Sequence, residues 1–314
     1  MKRVLLACLL MLAVATRAAP DDAAFDYHLS ARALADGVYV VAGANADFAP
    51  VNGCNIINTG FIVTAAGVVV VNTGPSKRYG EQLRALIART TAQPVVRVIH
   101  LNLHPDYFLG NQAFADVPRA ATAATRAGMA RDAKAYEDNL YRLCGDWMKG
   151  TEALLPDVDI GSGVLNIGGH ELELREWRGH TASDLVLIDR RSGVAFAGGL
   201  VFAERVPTTP HAALDAWLDS LTALEGLEAS KTVRHWVPSH GRLDAPAGLA
   251  GTRAYLQWLH ERLADAAARG LEVNEVLRLP VPPAQRALAA FEAEYVRNVI
   301  HLYPRYEQAA WQRH

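Results

Sequence analysis

The sequence is poor in several features, and each shortage closes off a class of function. Over 314 residues the net charge is only −2, with no basic stripe and no run of strand-borne aromatics, so no nucleic acid or other polyanion partner is implied. The apolar run at residues 4–14 falls short of the roughly 20 residues that a membrane-spanning helix needs. Neither G-x-S-x-G nor S-x-x-K occurs, which sets aside the common serine hydrolases. There is no repeat at a fixed period and no low-complexity linker, so one domain is expected. Cysteine is scarce too: Cys8, Cys54 and Cys144 are the three present.

What is present begins with a leader. Residues 1–19, MKRVLLACLLMLAVATRAA, combine a basic start (Lys2, Arg3), an apolar stretch and small residues at Ala18 and Ala19 suited to cleavage. This reads as a secretory signal, with residues 20–314 as the mature domain and a periplasmic or secreted location. Loss of Lys2, Arg3 and Arg17 leaves a charge near −5. Cys54 and Cys144 then meet an oxidising compartment, where they either pair or stay as two buried thiols.

The composition, 51% hydrophobic and 20% charged, is that of a soluble globular chain. β-Rich runs at 38–42, 55–63 and 67–72 form a meander. The segment PSKRYGEQLRALIARTT then places Leu83, Leu86 and Ile87 at helical spacing behind a proline suited to a first turn. A buried strand at 95–101, a long helical stretch at 120–149 and short strands at 164–167, 172–177, 184–188 and 194–197 follow. A helix at 212–227, a last strand in VRHWVPSHG and helices at 248–269 and 284–302 complete the chain. Runs such as VVVV and VAF are apolar on both sides, as strands covered on both faces are. The expectation is an α/β fold of two mixed sheets packed together with helices on the outer faces.

Histidine is the residue type with a pattern. Of eleven, His104, His180 and His240 each fall just past a strand end, in HPD, RGHTASD and VPSHGR, and Asp106 follows His104 by two. Loops at one end of a sheet are where such architectures place chemistry. Imidazoles and a carboxylate are also zinc's ligands in hydrolytic sites.

These landmarks, VVVVNTGPS, N-L-H-P-D-Y, GHTASD, GVAFAGGLVF and VPSHG in that order, resemble the metallo-β-lactamase superfamily over nearly the whole mature chain. The runs FDYHLSARALADGVYVVAGA, GDWMKGTE, LVFAERVPTTPHA and HLYPRYEQ are similar to a secreted branch, the quinoprotein relay system zinc metallohydrolases. The resemblance implies an αββα sandwich with two metals at one edge and a link to a periplasmic quinoprotein dehydrogenase system. It places His104 and His180 as ligands of one metal, and Asp106 and His240 as ligands of the other. Asn102 and Tyr107 stand where it expects histidines, Gly199 where it expects a bridging aspartate, and Asn72 where it expects a second-shell aspartate.

Two donors for each metal are fewer than the three protein ligands that a catalytic zinc usually has. The leading expectation is therefore one shared zinc held by His104, Asp106, His180 and His240, with Asp106 ligating it or holding the attacking water, in a hydrolase of esters, thioesters or lactams. The alternative is a non-catalytic descendant that binds a small molecule or a protein in the old cleft. His100 and Tyr107 are weaker replacement ligands, the first displaced by about 6.6 Å along its strand, the second through a phenol of pKa about 10. Thr181, Ser183 and Asp184 are placed to orient the imidazoles or simply to form the turn, and Tyr136, Tyr141, Trp147 and Tyr303 to line a pocket or fill the core.

Overall fold

A computed structural model describes residues 25–245 and 248–312, so the expected leader lies outside the described residues. The chain opens with β1 (Arg32–Ala35), β2 (Val38–Val41), β3 (Thr59–Thr64) and β4 (Gly67–Val71), then α1 (Lys77–Thr90) and β5 (Val95–Ile99). A one-turn helix α2 (Pro105–Phe108), β6 (Arg119–Ala121), the long α3 (Ala123–Cys144) and β7 (Val158–Asp159) complete the first half. The second half holds β8 (Gly163–Ile167), β9 (His170–Trp177), β10 (Asp184–Asp189), β11 (Val194–Phe196), β12 (Phe202–Ala203), α4 (Leu214–Ala229), β13 (His235–Val237) and β14 (His240–Gly241). It ends in α5 (Gly248–Ala268), α6 (Val273–Arg278), α7 (Pro283–Arg286) and α8 (Phe291–Trp311).

β1 to β7 form one mixed sheet in sequence order, and β13-β11-β10-β9-β8 form the second. Residue alternation decides what each face touches. In β4, Val68 and Val70 join Tyr79 and Leu83 of α1 in one cluster, while Val69 and Val71 turn the other way into the space between the sheets. β10 does the same, with Leu185 and Leu187 facing the first sheet and Val186 and Ile188 facing Trp217, Leu221 and the C-terminal helices. These strands are apolar throughout because both of their faces are covered. The expected sandwich is thus the observed one.

Local signals account for several boundaries. Ser76 caps α1 by accepting the Tyr79 N–H, and Thr122 caps α3 by accepting that of Thr125. α8 departs from expectation at both ends. It starts at Phe291 rather than 284, because Ala290 is left-handed (φ 59°) and interrupts the helical run, and it continues through Pro304 to Trp311. A proline inside a helix forfeits a hydrogen bond. Burial of Val299, Leu302, Tyr303 and Ala310 on that helix offsets the loss.

Cys54 and Cys144 are joined in a disulfide, Cα to Cα 6.0 Å, across 90 positions of sequence. The bridge is buried with Leu103, Phe108 and Leu109, so it braces the segment that carries His104 and Asp106. No helix among the described residues is long and apolar enough to cross a membrane.

Candidate functional site

Three loops at one edge of the sandwich bring the four expected residues together. His104 ends the loop after β5 and stands at the N-cap of α2, which carries Asp106. His180 lies in the turn between β9 and β10, and His240 opens β14. All four are buried. The His104 and His180 rings meet edge to face at 4.6 Å, and His240 Nε2 lies 2.7 Å from Asp106 Oδ2.

The protons of the Asp106–His240 pair can be assigned. Burial pushes the Asp106 carboxyl up, but the His240 ring beside it, with its hydrogen bond, outweighs this and holds it below its usual value. Burial also keeps His240 below its usual value, against the pull of Asp106. At neutral pH the pair is therefore a carboxylate and a neutral imidazole, and His240 Nε2–H donates to Asp106. Nδ1 is left as an acceptor 2.9 Å from the Ser239 hydroxyl, whose single proton the Val201 carbonyl also faces at 3.2 Å. Phe202 stacks flat on the His240 ring at 4.8 Å and fixes its plane.

His180 is enclosed more completely. The Asn102 amide Nδ2 is 3.3 Å from His180 Nδ1, 3.3 Å from Thr181 Oγ1 and 2.6 Å from Asp184 Oδ1, while Asn102 Oδ1 accepts the His104 backbone N–H at 3.1 Å. His180 Nε2 faces Thr208 Oγ1 at 3.2 Å. Trp217 lies 5.0 Å from the ring, and a Cβ at Gly199 would come within 1.9 Å of Nδ1. The imidazole thus occupies the space that a side chain at position 199 would need. Burial, then the neighbouring His240 and His211, push His180 down to about 3. Asp184, raised by burial to about 7, also accepts the Thr181 N–H. Thr181 and Asp184 bond to each other and to Asn102, which is the turn reading, and reach the His180 ring only through that amide. Ser183 turns away to Thr122 and Glu176.

Sequence reasoning missed His211. Its Nδ1 is 3.1 Å from His104 Nε2, so one imidazole donates to the other, and its Nε2 is 3.7 Å from the Asp132 carboxylate on α3. Tyr136, one turn along α3, lies 3.5 Å from the same carboxylate. Burial, then the His180 and His211 imidazoles, hold His104 well below its usual value. The available signal was the position of His211, in the PTTPHA loop between β12 and α4 at the edge that carries Gly199.

The remaining candidates lie elsewhere. His100 is fully buried, gives Nδ1–H to the Tyr107 carbonyl at 3.1 Å and is pushed by burial to about 4. Tyr107 is buried beside the pair, 6.1 Å from the His240 ring, and its hydroxyl makes no regular hydrogen bond although Ser239 is near enough to lower its pKa. Burial raises that phenol well above its ordinary value, so it stays protonated at neutral pH. Asn72, left-handed at φ 60°, accepts the Leu101 N–H and shapes the loop. Of the aromatics, Tyr136 alone reaches the site. Tyr141 is exposed, Trp147 packs on Phe25 and Tyr27, and Tyr303 is core beneath α5 and α8.

Zinc does not fit this arrangement. Among the described residues, no group of three or more His, Cys, Asp or Glu is placed to hold a metal ion. The four expected donors form two pairs, His104 with His180 and Asp106 with His240, and zinc needs at least three protein donors at one point. A permanent cation also stands close by. The buried Arg205 guanidinium, bonded to the Ala46 and Val206 carbonyls and paired with Glu294 at 3.5 Å, shares its field with Asp106 and His240.

The model of the metallo-β-lactamase superfamily matches residues 52–235, more than half of the chain, and the chain belongs to that superfamily. Three of the four site residues lie within the matched span, and His240 lies just beyond it. Solved structures agree on the fold. A metallo-β-lactamase from Pontibacter korlensis is 24% identical with a TM-score of 0.58, the match covering 73% of this chain and 99% of that one. The crystal structure of metallo-β-lactamase IND-7 is 19% identical with a TM-score of 0.59, covering 73% and 98%. No curated protein matches the chain.

Proposed function

We propose that this chain is an exported, metal-independent member of its superfamily that binds a small molecule in the cleft as part of a quinoprotein dehydrogenase system. One observation carries the reading: the imidazoles and the carboxylate of the site satisfy one another and their neighbours instead of converging on a vacant point. His240 is held between Asp106 and Ser239, His180 between Asn102 and Thr208, and His104 against His211. Export is supported by the leader-like first nineteen residues and by the Cys54–Cys144 disulfide, a bond that persists in oxidising compartments. The dehydrogenase system is supported by the branch-like runs, among them LVFAERVPTTPHA, which carries His211.

A second reading, a hydrolase with one shared zinc, is favoured by the 2.7 Å approach of Asp106 and His240 with His104 close at hand. Elemental analysis of the mature protein, with calorimetric titration of zinc, separates the two. The metal-independent reading expects far less than one equivalent of zinc, iron or manganese after dialysis against trace metal. One tightly held equivalent, lost on His104→Ala and on His240→Ala, would establish the hydrolase instead.

A further inference from the structure

We infer that Asn102 is a positioning residue: it locks His180 in the tautomer with its proton on Nε2, so that this nitrogen carries a proton where a cation would need a lone pair. The inference rests on the metal-independent reading and explains how one amide enforces it.

Three neighbours of the His180 ring fix where its proton lies. The His104 backbone N–H can only donate, and it points at Asn102 Oδ1 at 3.1 Å, which fixes which end of the amide is oxygen. The Asn102 NH2 then faces Asp184 Oδ1 at 2.6 Å, His180 Nδ1 at 3.3 Å and Thr181 Oγ1 at 3.3 Å, and the Thr181 oxygen already accepts the Ser183 N–H. An NH2 has no lone pair to offer, so His180 Nδ1 is the acceptor. Asp184 Oδ1 is 3.6 Å from Nδ1, beyond hydrogen-bond range, and does not call for a proton there. With Nδ1 bare, the neutral ring carries its proton on Nε2 and gives it to Thr208 Oγ1.

Both nitrogens are then closed to a cation. Nδ1 is walled in by Asn102 and by Gly199, where even a methyl group would collide with it. Nε2 presents a proton where a metal would need a lone pair.

The test exchanges the two groups that hold the proton. In an Asn102→Asp, Asp184→Asn double variant the total charge is unchanged, the His104 N–H still meets an oxygen, and His180 Nδ1 faces a carboxylate. Two-bond nitrogen–proton correlation spectra of the labelled protein read the tautomer directly, with His180→Gln identifying the resonance. In the native chain Nε2 is expected to be protonated and Nδ1 bare at neutral pH. In the double variant the proton moves to Nδ1, and calorimetry with zinc chloride shows at least a tenfold gain in affinity over native. A native spectrum with the proton on Nδ1 overturns the inference even if zinc does not bind, and it decides the matter should the double variant not fold. A shifted proton with unchanged zinc affinity overturns the link to cation exclusion. Tight uptake of one zinc by the native chain overturns the metal-independent reading itself.

Discussion

Asp106 and His240, 134 positions apart in sequence, meet at 2.7 Å with the imidazole nitrogen donating to a buried carboxylate. Such a pair is either a structural tie or part of a site, and its energetics separate these. A charge-assisted hydrogen bond contributes about 1.5–3 kcal/mol, and losing one partner leaves the other buried and unsatisfied. Asp106→Ala is expected to lower the unfolding free energy in urea by about 2–3 kcal/mol. A loss below about 0.5 kcal/mol would mean that the pair adds little to folding and is retained for something that enters the cleft.

Acid should weaken the fold in a defined window. His100 titrates near 4 in the folded chain and near 6.5 when unfolded, because burial disfavours its cation. Its neutral form thus contributes stability that is complete above pH 6.5, fades as the unfolded state takes up a proton, and is gone below the folded value near 4. For this buried group the linkage amounts to about 3 kcal/mol. Urea midpoints measured from pH 7 to pH 4 should fall, and His100→Gln should flatten part of that slope. An unchanged slope in the variant would assign the acid sensitivity to the other buried imidazoles.

The disulfide offers a third measurement. A bridge closing a loop of 90-odd residues restricts the unfolded chain enough to contribute about 4–5 kcal/mol on the chain-entropy model. The Cys54→Ser, Cys144→Ser double variant should lose stability on that scale. Native protein unfolded in the presence of dithiothreitol should match it. Equal stability with and without the bridge would show that the reduced chain keeps the loop ordered by packing alone.

Gly199 is held tightly against His180. Its added Cβ would lie 1.9 Å from His180 Nδ1, so Gly199→Ala must move either the ring or the turn that carries it. Overpacking of this kind costs about 1–3 kcal/mol. The variant should melt lower than native and lose the native His180 nitrogen resonances. A variant with unchanged melting and spectra would mean that the turn at 198–200 yields freely.

The layers of the fold were legible because alternation along β4 and β10 states which face each valine or leucine takes, and the Ser76 and Thr122 caps announce α1 and α3. The four residues at the sheet edge were legible as well, since each follows a strand end. Their proton assignments were not. His104 meets His211 across 107 positions and Asn102 meets His180 across 78, and no local pattern encodes a partner at that distance. The start of α8 escaped for the opposite reason: local propensity favours helix from 284 onward, and a single left-handed residue at Ala290 overrides it. β1 has no counterpart among the expected strands, because its residues, Arg32, Ala33, Leu34 and Ala35, are exposed or only partly covered and lack a strand signature.

The packing of His180 against Gly199 also bears on how this molecule can be redesigned. A carboxylate installed at 199 arrives where an imidazole already sits, and an imidazole moved first loses the wall that steadies it against Trp217. Either replacement made alone disturbs the packing of the other residue, so a redesign that installs a carboxylate at 199 should vary both positions together.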